Sequence, residues 1–218
     1  MLTPPKRHEI DHRTIKLVVG VIAIAIAPLT SVFASTRLES ISASYYEGGW
    51  SQSIFIGFLF AIAAMLLAYN GYSKTEMILS KVAAGAGLGV ALFPCKCDTH
   101  AERVPYAHAI FAAVMFLILA YFCVLFRRRA KAKAHAQANW RAMIYTACGV
   151  AIILAIVVLG VNAFANDAIR QVVPQVTLYG ETVGLVAFGV AWLTASRVLP
   201  FITSADERFS PFRAHNPA

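Results

Sequence analysis

Residues 106–133 read YAHAIFAAVMFLILAYFCVLFRRRAKAK, and this stretch decides the fold. From Tyr106 to Phe126 there is no Asp, Glu, Lys or Arg. A helix rises about 1.5 Å per residue, so such a run can cross a hydrocarbon core about 30 Å thick. Its apolar residues follow one another without period-two alternation. In lipid only helices and closed barrels satisfy every backbone N–H and C=O, so the run reads as a transmembrane helix. The cations behind it, Arg127, Arg128, Arg129, Lys131 and Lys133, mark the side on which it ends.

Working outward, similar runs lie at 15–35, 52–70, 77–94, 142–164 and 176–196. With 106–126 they make six. The 218 residues are 59% hydrophobic and 14% charged, with a mean hydropathy of +0.65. A soluble domain carries about 25% charged residues, so a polytopic membrane protein is indicated. The expected architecture is all-α: a cytoplasmic segment 1–14, a six-helix transmembrane domain 15–197 and a cytoplasmic tail 198–218. Nothing remains for a second soluble domain, and four cysteines without a repeated CxxC framework do not make a disulfide scaffold. The opening KRHEIDHRTIK followed by LVVGVIAIAIA and PLTSVFAS has signal-peptide form, with Val32 and Ala34 placed for cleavage. We expect it to be retained as an uncleaved signal anchor, the first span.

Lys and Arg on alternate sides of the spans divide fifteen to four. One side has Lys6, Arg7, Arg13, Lys16, Lys74, Lys81, Arg127, Arg128, Arg129, Lys131, Lys133, Arg141, Arg197, Arg208 and Arg213; the other has Arg37, Lys96, Arg103 and Arg170. Positive charge stays cytoplasmic, so both termini and the loop RRRAKAKAHAQANWR (127–141) are assigned to the cytoplasm of a bacterial inner membrane. The net charge of +8 is therefore a topology signal that also attracts anionic headgroups. No aromatic-interleaved or folded module supports nucleic-acid binding.

Three connections face outward: STRLESISASYYEGGWSQS (35–53), the elbow within FPCKCDTHAERVPYAHAIF (93–111) and NDAIRQVVPQ (166–175). They hold most of the unusual polar residues. Within the spans, Ala83, Gly87 and Ala91, and Gly85 and Gly89, give the third helix two small-residue faces, which predicts a central place in the bundle. Gly180 and Gly184 form a GxxxG pair in the sixth.

Glu181 is the one acid inside the spans as drawn, one to two turns below the outer end of the sixth. A carboxylate at mid-membrane costs about 2.5–3.5 kcal/mol on insertion scales, and less near the interface. Thr177, Glu181, Gly184, Phe188 and Trp192 recur at helical spacing and share a face. His108, at similar depth in the fourth span, is the expected partner. The pair serves either as a clasp between helices or as acid and base in catalysis.

The elbow offers Cys95, Cys97, Asp98 and His100 as sulfur, oxygen and nitrogen ligands, for which zinc or copper would be the metals. CxC is not a zinc-knuckle spacing, and a polar elbow with no metal explains the residues as well. In an oxidising compartment the two thiols can also pair. Cys123 and Cys148 read as small packing residues. In the first outward loop, which also holds Ser40, the candidate substrate-binding residues are Ser42, Ser44, Tyr45, Tyr46 and Glu47, and Trp50 suits an interfacial aromatic belt. No Walker loop, dinucleotide fingerprint, HExxH or GxSxG occurs.

SISASYYE (40–47), FIG (55–57), ALFP (91–94), His108 and ETVGLVAFGVAW (181–192) together resemble a family of small six-span bacterial inner-membrane proteins to which no activity is assigned. The likeness covers about residues 38–197 and implies the six-span fold. Where that family has a histidine after the paired tyrosines, this chain has Glu47. A second likeness, to the alkaline-ceramidase and progestin-receptor superfamily of membrane hydrolases, implies Ser, Asp and His around zinc. This chain lacks that superfamily's paired histidines near the last helix. Three functions follow. One is an accessory subunit or binder of lipids or partner subunits, using an outward pocket. Another is an outer-leaflet lipid hydrolase or transferase using Glu181 and His108, with or without a metal. The third is a proton-coupled transporter using Glu181.

Overall fold

The computed structural model describes residues 11–97, 100, 102–133, 135–165 and 167–210. Among them, six helices are long and apolar enough to cross a membrane: α1 (His12–Val32), α3 (Gly49–Ala68), α4 (Lys74–Leu92), α5 (Ala107–Lys131), α6 (Ala136–Phe164) and α8 (Val176–Ser196). Two short helices, α2 (Ser44–Glu47) and α7 (Ala168–Val172), lie in the connections. The chain is thus a multi-pass, all-α bundle, as its sequence predicts. Arg13 donates a hydrogen bond to the Glu207 carbonyl oxygen at 3.2 Å, so the start of α1 and the turn at Ala205–Glu207 meet on one side.

The long helices close a circuit: α1 packs on α3, α3 on α4, α4 on α5, α5 on α6, α6 on α8 and α8 on α1. Side chains from α5 and α8 fill the middle. Trp192 has its ring centre 5.3 Å from Tyr69, 5.4 Å from Phe188 and 5.8 Å from Phe122, all of them fully buried or nearly so. Where α1 crosses α8 there is no room for side chains. A Cβ on Gly189 would lie 2.8 Å from the Gly20 carbonyl oxygen, and one on Gly20 would lie 2.9 Å from that of Gly189. Backbone meets backbone, as small residues allow in lipid.

The third span, α4, is an ordinary member of this circuit, which corrects the central place expected for it. Its small residues serve its two neighbours: Gly87 faces Ala63 of α3 and Met115 of α5, and Gly89 takes the Phe111 ring of α5. The GxxxG pair of α8 likewise admits side chains, Leu159 against Gly180 and Phe116 against Gly184.

The basic stretch 127–141 is mostly helix rather than loop. Helix α5 runs on to Lys131 and α6 starts at Ala136. Ala, Arg and Lys are strong helix formers, and Arg128, Arg129 and Lys131 complement the negative end of the α5 dipole. Helix α4 also begins earlier than its apolar run, because Ser73 caps it and accepts from the Glu76 N–H at 3.2 Å. That start brings Glu76 into the helix, buried and ion-paired with Arg129. Glu181 is therefore not the only acid in a span.

At this basic end the tail folds back over the ring. Glu207, in the turn Ala205–Glu207, pairs with Lys133, Arg141 and Arg197, and the fully buried Arg141 also donates to the Ile202 carbonyl at 2.8 Å. Burial pushes the Glu207 carboxyl up, but hydrogen bonds from Lys133 and Arg197 and the charges of Arg197 and Arg141 outweigh it and take it from 4.5 to about 2. A carboxylate depressed by docking contributes its full stabilisation above 4.5 and loses it as pH falls through about 2. Glu207→Gln should therefore release the tail at neutral pH, read as faster proteolytic cutting after residue 198. A tail as protected as wild type would remove Glu207 as its anchor.

Candidate functional site

The outer end of the ring is corked by its own first loop. Leu38 is 5% exposed and Ile41 is 1% exposed. Ile41 packs among Ile26 and Ala27 of α1, Phe55 and Leu59 of α3, Val90 and Ala91 of α4 and Leu185 of α8. Burying Ile41 takes non-helical backbone below the surface, and its N–H groups then need acceptors. Glu181 of α8 supplies them. Its Oε2 accepts from the Ile41 N–H at 2.5 Å and the Ser42 N–H at 3.2 Å, and its Oε1 bonds the Ser42 hydroxyl at 2.7 Å.

Ser42 in turn reaches His108. Its Oγ lies 3.0 Å from His108 Nε2, and His108 Nδ1 lies 2.8 Å from the Phe93 carbonyl oxygen at the end of α4. Glu181 and His108 thus share one site, but they do not bond directly as expected, because Ser42 stands between them. Ser42 is 5% and His108 7% exposed. A carbonyl oxygen only accepts, so His108 carries a proton on Nδ1. Two patterns then satisfy every atom of the bridge. In one, the Ser42 hydroxyl donates to a Glu181 carboxylate while doubly protonated His108 donates to Ser42. In the other, protonated Glu181 donates to Ser42, which donates to neutral His108. Both patterns keep the same heavy-atom geometry, in which Ser42 clasps Glu181 of α8 to His108 of α5.

The other candidate residues surround this chain without joining it. Ser40 accepts from the Ala43 N–H at 2.9 Å and shapes the turn. Ser44 is fully buried, with its hydroxyl unpartnered among the described residues. Tyr46 donates to the Cys95 carbonyl at 3.0 Å and stacks on His100 at 4.0 Å, and burial pushes its phenol up. Tyr45 meets Tyr46 edge to face, and its carbonyl accepts from Gln52 at 2.6 Å. Glu47 is occupied within the loop. The Thr36 hydroxyl and the Ser35 and Thr36 N–H groups all donate to it, and the Thr36 bond above all holds its carboxyl below the usual range.

The metal reading of the elbow finds little geometric support. Cys95 and Cys97 are joined by a disulfide, so neither offers a thiolate in this state. Among the described residues no three His, Cys, Asp or Glu side chains gather as a ligand set. Asp98 lies outside the described residues. The free cysteines Cys123 and Cys148 are buried in the helix packing. Three parts of the site escaped sequence reasoning: the Ile41 anchor, the Phe93 carbonyl and the bridging position of Ser42. Ile41 is the one apolar residue between Glu39 and Ala43, a signal that was available.

A clasp and a catalytic acid answer differently to one substitution. Gln at 181 keeps an acceptor for both N–H groups and can donate to Ser42, whereas Ala strands them. Glu181→Ala should lose about 1–3 kcal/mol of stability, while Glu181→Gln stays near wild type. Thermal unfolding in detergent checks this, and a Gln variant as unstable as Ala would remove the clasp. Comparison with protein-family models, curated proteins and solved structures finds no match to this chain.

Proposed function

We propose that this protein acts in a bacterial inner membrane by binding rather than by catalysis, as an accessory subunit or lipid-binding protein, and that α6 is its binding face. This keeps it with the six-span proteins its motifs resemble. The observation that carries the proposal is the bareness of α6. Only 17% of its apolar window is covered by the rest of the protein, against 33–50% for the other spans. Two grooves flank it, one of about 400 Å³ against α8 and one of about 540 Å³ against α5. Ala147, Ala151 and Ala187 line the first, and Arg127, Lys131, Asn139 and Met143 line the second. Alanine walls let a partner helix or an acyl chain approach closely, and the two cations suit a headgroup at the basic end. The outward pocket anticipated for binding is instead filled by the Ile41 loop.

A photo-crosslinking residue at Ala151 tests this against one at Phe60, a lipid-facing position of α3. Discrete adducts concentrated at 151 are expected. A protein adduct identifies a subunit, and a phospholipid adduct identifies a lipid seat. Equal, diffuse labelling at 60 and 151 would sink the proposal.

One distance favours a second reading, an outer-leaflet hydrolase with Ser42 as nucleophile and His108 as base: the 3.0 Å contact between them. Against it, Glu181 occupies the Ser42 hydroxyl and the two N–H groups that would stabilise an oxyanion. A fluorophosphonate probe should therefore leave the protein unlabelled. Labelling that disappears in Ser42→Ala would put the hydrolase first.

A further inference from the structure

The basic end of the ring holds a second polar cluster, distinct from the Glu207 contacts and from the α6 face. Lys16 of α1 is 4% exposed. Its ammonium lies 5.3 Å from the ring centres of Tyr69 and Tyr72 and 5.4 Å from that of Phe126. No carboxylate pairs with it among the described residues. The Arg129 guanidinium lies over the same Tyr72 ring at 4.5 Å. One of its nitrogens holds Glu76, while Nη1 is buried without a partner among the described residues. The same is true of Tyr69 Oη, Trp192 Nε1 and His12 Nδ1. Ring contacts tie these residues together, His12 to Tyr69 at 5.4 Å and Tyr69 to Trp192 at 5.3 Å.

The chemistry of this cluster is one-sided. Ammonium, guanidinium and indole N–H groups donate and cannot accept. Arg129, Arg197 and Arg13 all repel the Lys16 charge, and the acid that offsets them is Asp11. Asp11 is itself engaged as the cap of α1, accepting from the Arg13 N–H at 3.0 Å. The positive end of the α1 dipole points the same way. Rings around a cation recover part of its lost hydration, but they accept no hydrogen bond from the neighbouring donors. Glu76 and Asp11 are already engaged, so what the cluster lacks is a further acceptor carrying negative charge for its unpartnered donors.

We propose that this cluster binds a phosphate anion, supplied by the headgroup of an inner-leaflet phospholipid or by a soluble phosphate. Donors come from three elements: Lys16 and His12 on α1, Tyr69 at the end of α3 and Arg129 on α5. That arrangement suits oxygens pointing in several directions better than the two of a planar carboxylate. Tyr72, 66% exposed, and the partly exposed Arg129 side chain are where this cluster reaches the surface. The site stands whether or not α6 is the binding face, since it shares no residue with the grooves there.

The test uses the full-length protein in phosphatidylcholine nanodiscs. In one arm inorganic phosphate is titrated by calorimetry against chloride. In the other, phosphatidylglycerol is added to the discs and lipid retention is read by native mass spectrometry. Saturable one-to-one binding in either arm is expected, and the arm that shows it names the source. Lys16→Met should weaken binding about tenfold, and Lys16→Arg, which keeps the charge, should weaken it much less. Wild-type protein that binds neither probe would overturn the site without recourse to any variant. So would folded Lys16→Met protein that binds like wild type.

Discussion

Chain that enters a membrane without being helical must find a partner for every backbone N–H it carries down. The outer half of this protein follows from that constraint. Ile41 drops into the mouth of the ring for the sake of its side chain, and the N–H groups of residues 41 and 42 go with it. Glu181 is the acceptor that makes this tolerable, and Ser42 then bonds both Glu181 and His108. His108 is anchored in turn on the Phe93 carbonyl, which the end of α4 leaves free. One buried isoleucine thus ties the first loop to α4, α5 and α8. It also accounts for a carboxylate in a span without calling on catalysis.

The sequence makes the spans and their number legible, because each rests on a local property, length without charge. What it hides is non-local. The order of helices around the ring depends on which faces meet, and small residues on α4 were as compatible with a central helix as with a peripheral one. The α1–α8 crossing at Gly20 and Gly189 joins positions far apart in the chain. The extra turns of α5 and α6 were hidden for another reason. Charged residues end an apolar run, but Ala, Arg and Lys do not end a helix. The two criteria separate just where the basic residues begin.

The candidate site was half legible. Glu181 and His108 stand out because ionisable groups are rare in spans, and the structure brings them into one network. The bridging serine was one of several in its loop, and nothing local marks Ser42 above Ser40 or Ser44. Their roles are set by the turn: Ser40 turns back on Ala43, Ser44 points into the protein, and only Ser42 faces the two ionisable groups.

The two ends of the bundle solve the same electrostatic problem in opposite ways. In the Ile41 loop the network of Glu181, Ser42 and His108 pairs its donors with acceptors and closes on itself. At the basic end Glu207 is shared among Lys133, Arg141 and Arg197, and Glu76 serves Arg129 through one nitrogen. Glu76 and Glu207 are taken up by these arginines and lysines, and Lys16 is left with aromatic faces. The middle of the ring keeps the two ends apart, for Leu119, Phe122, Phe188 and Trp192 leave apolar packing between them. A protein whose buried Glu181 holds a loop closed, and whose cations at the other end are short of acceptors, has its unmet chemistry on the basic side. That is where an external anion would add the most, since it enters a place already stripped of water and already lined with donors.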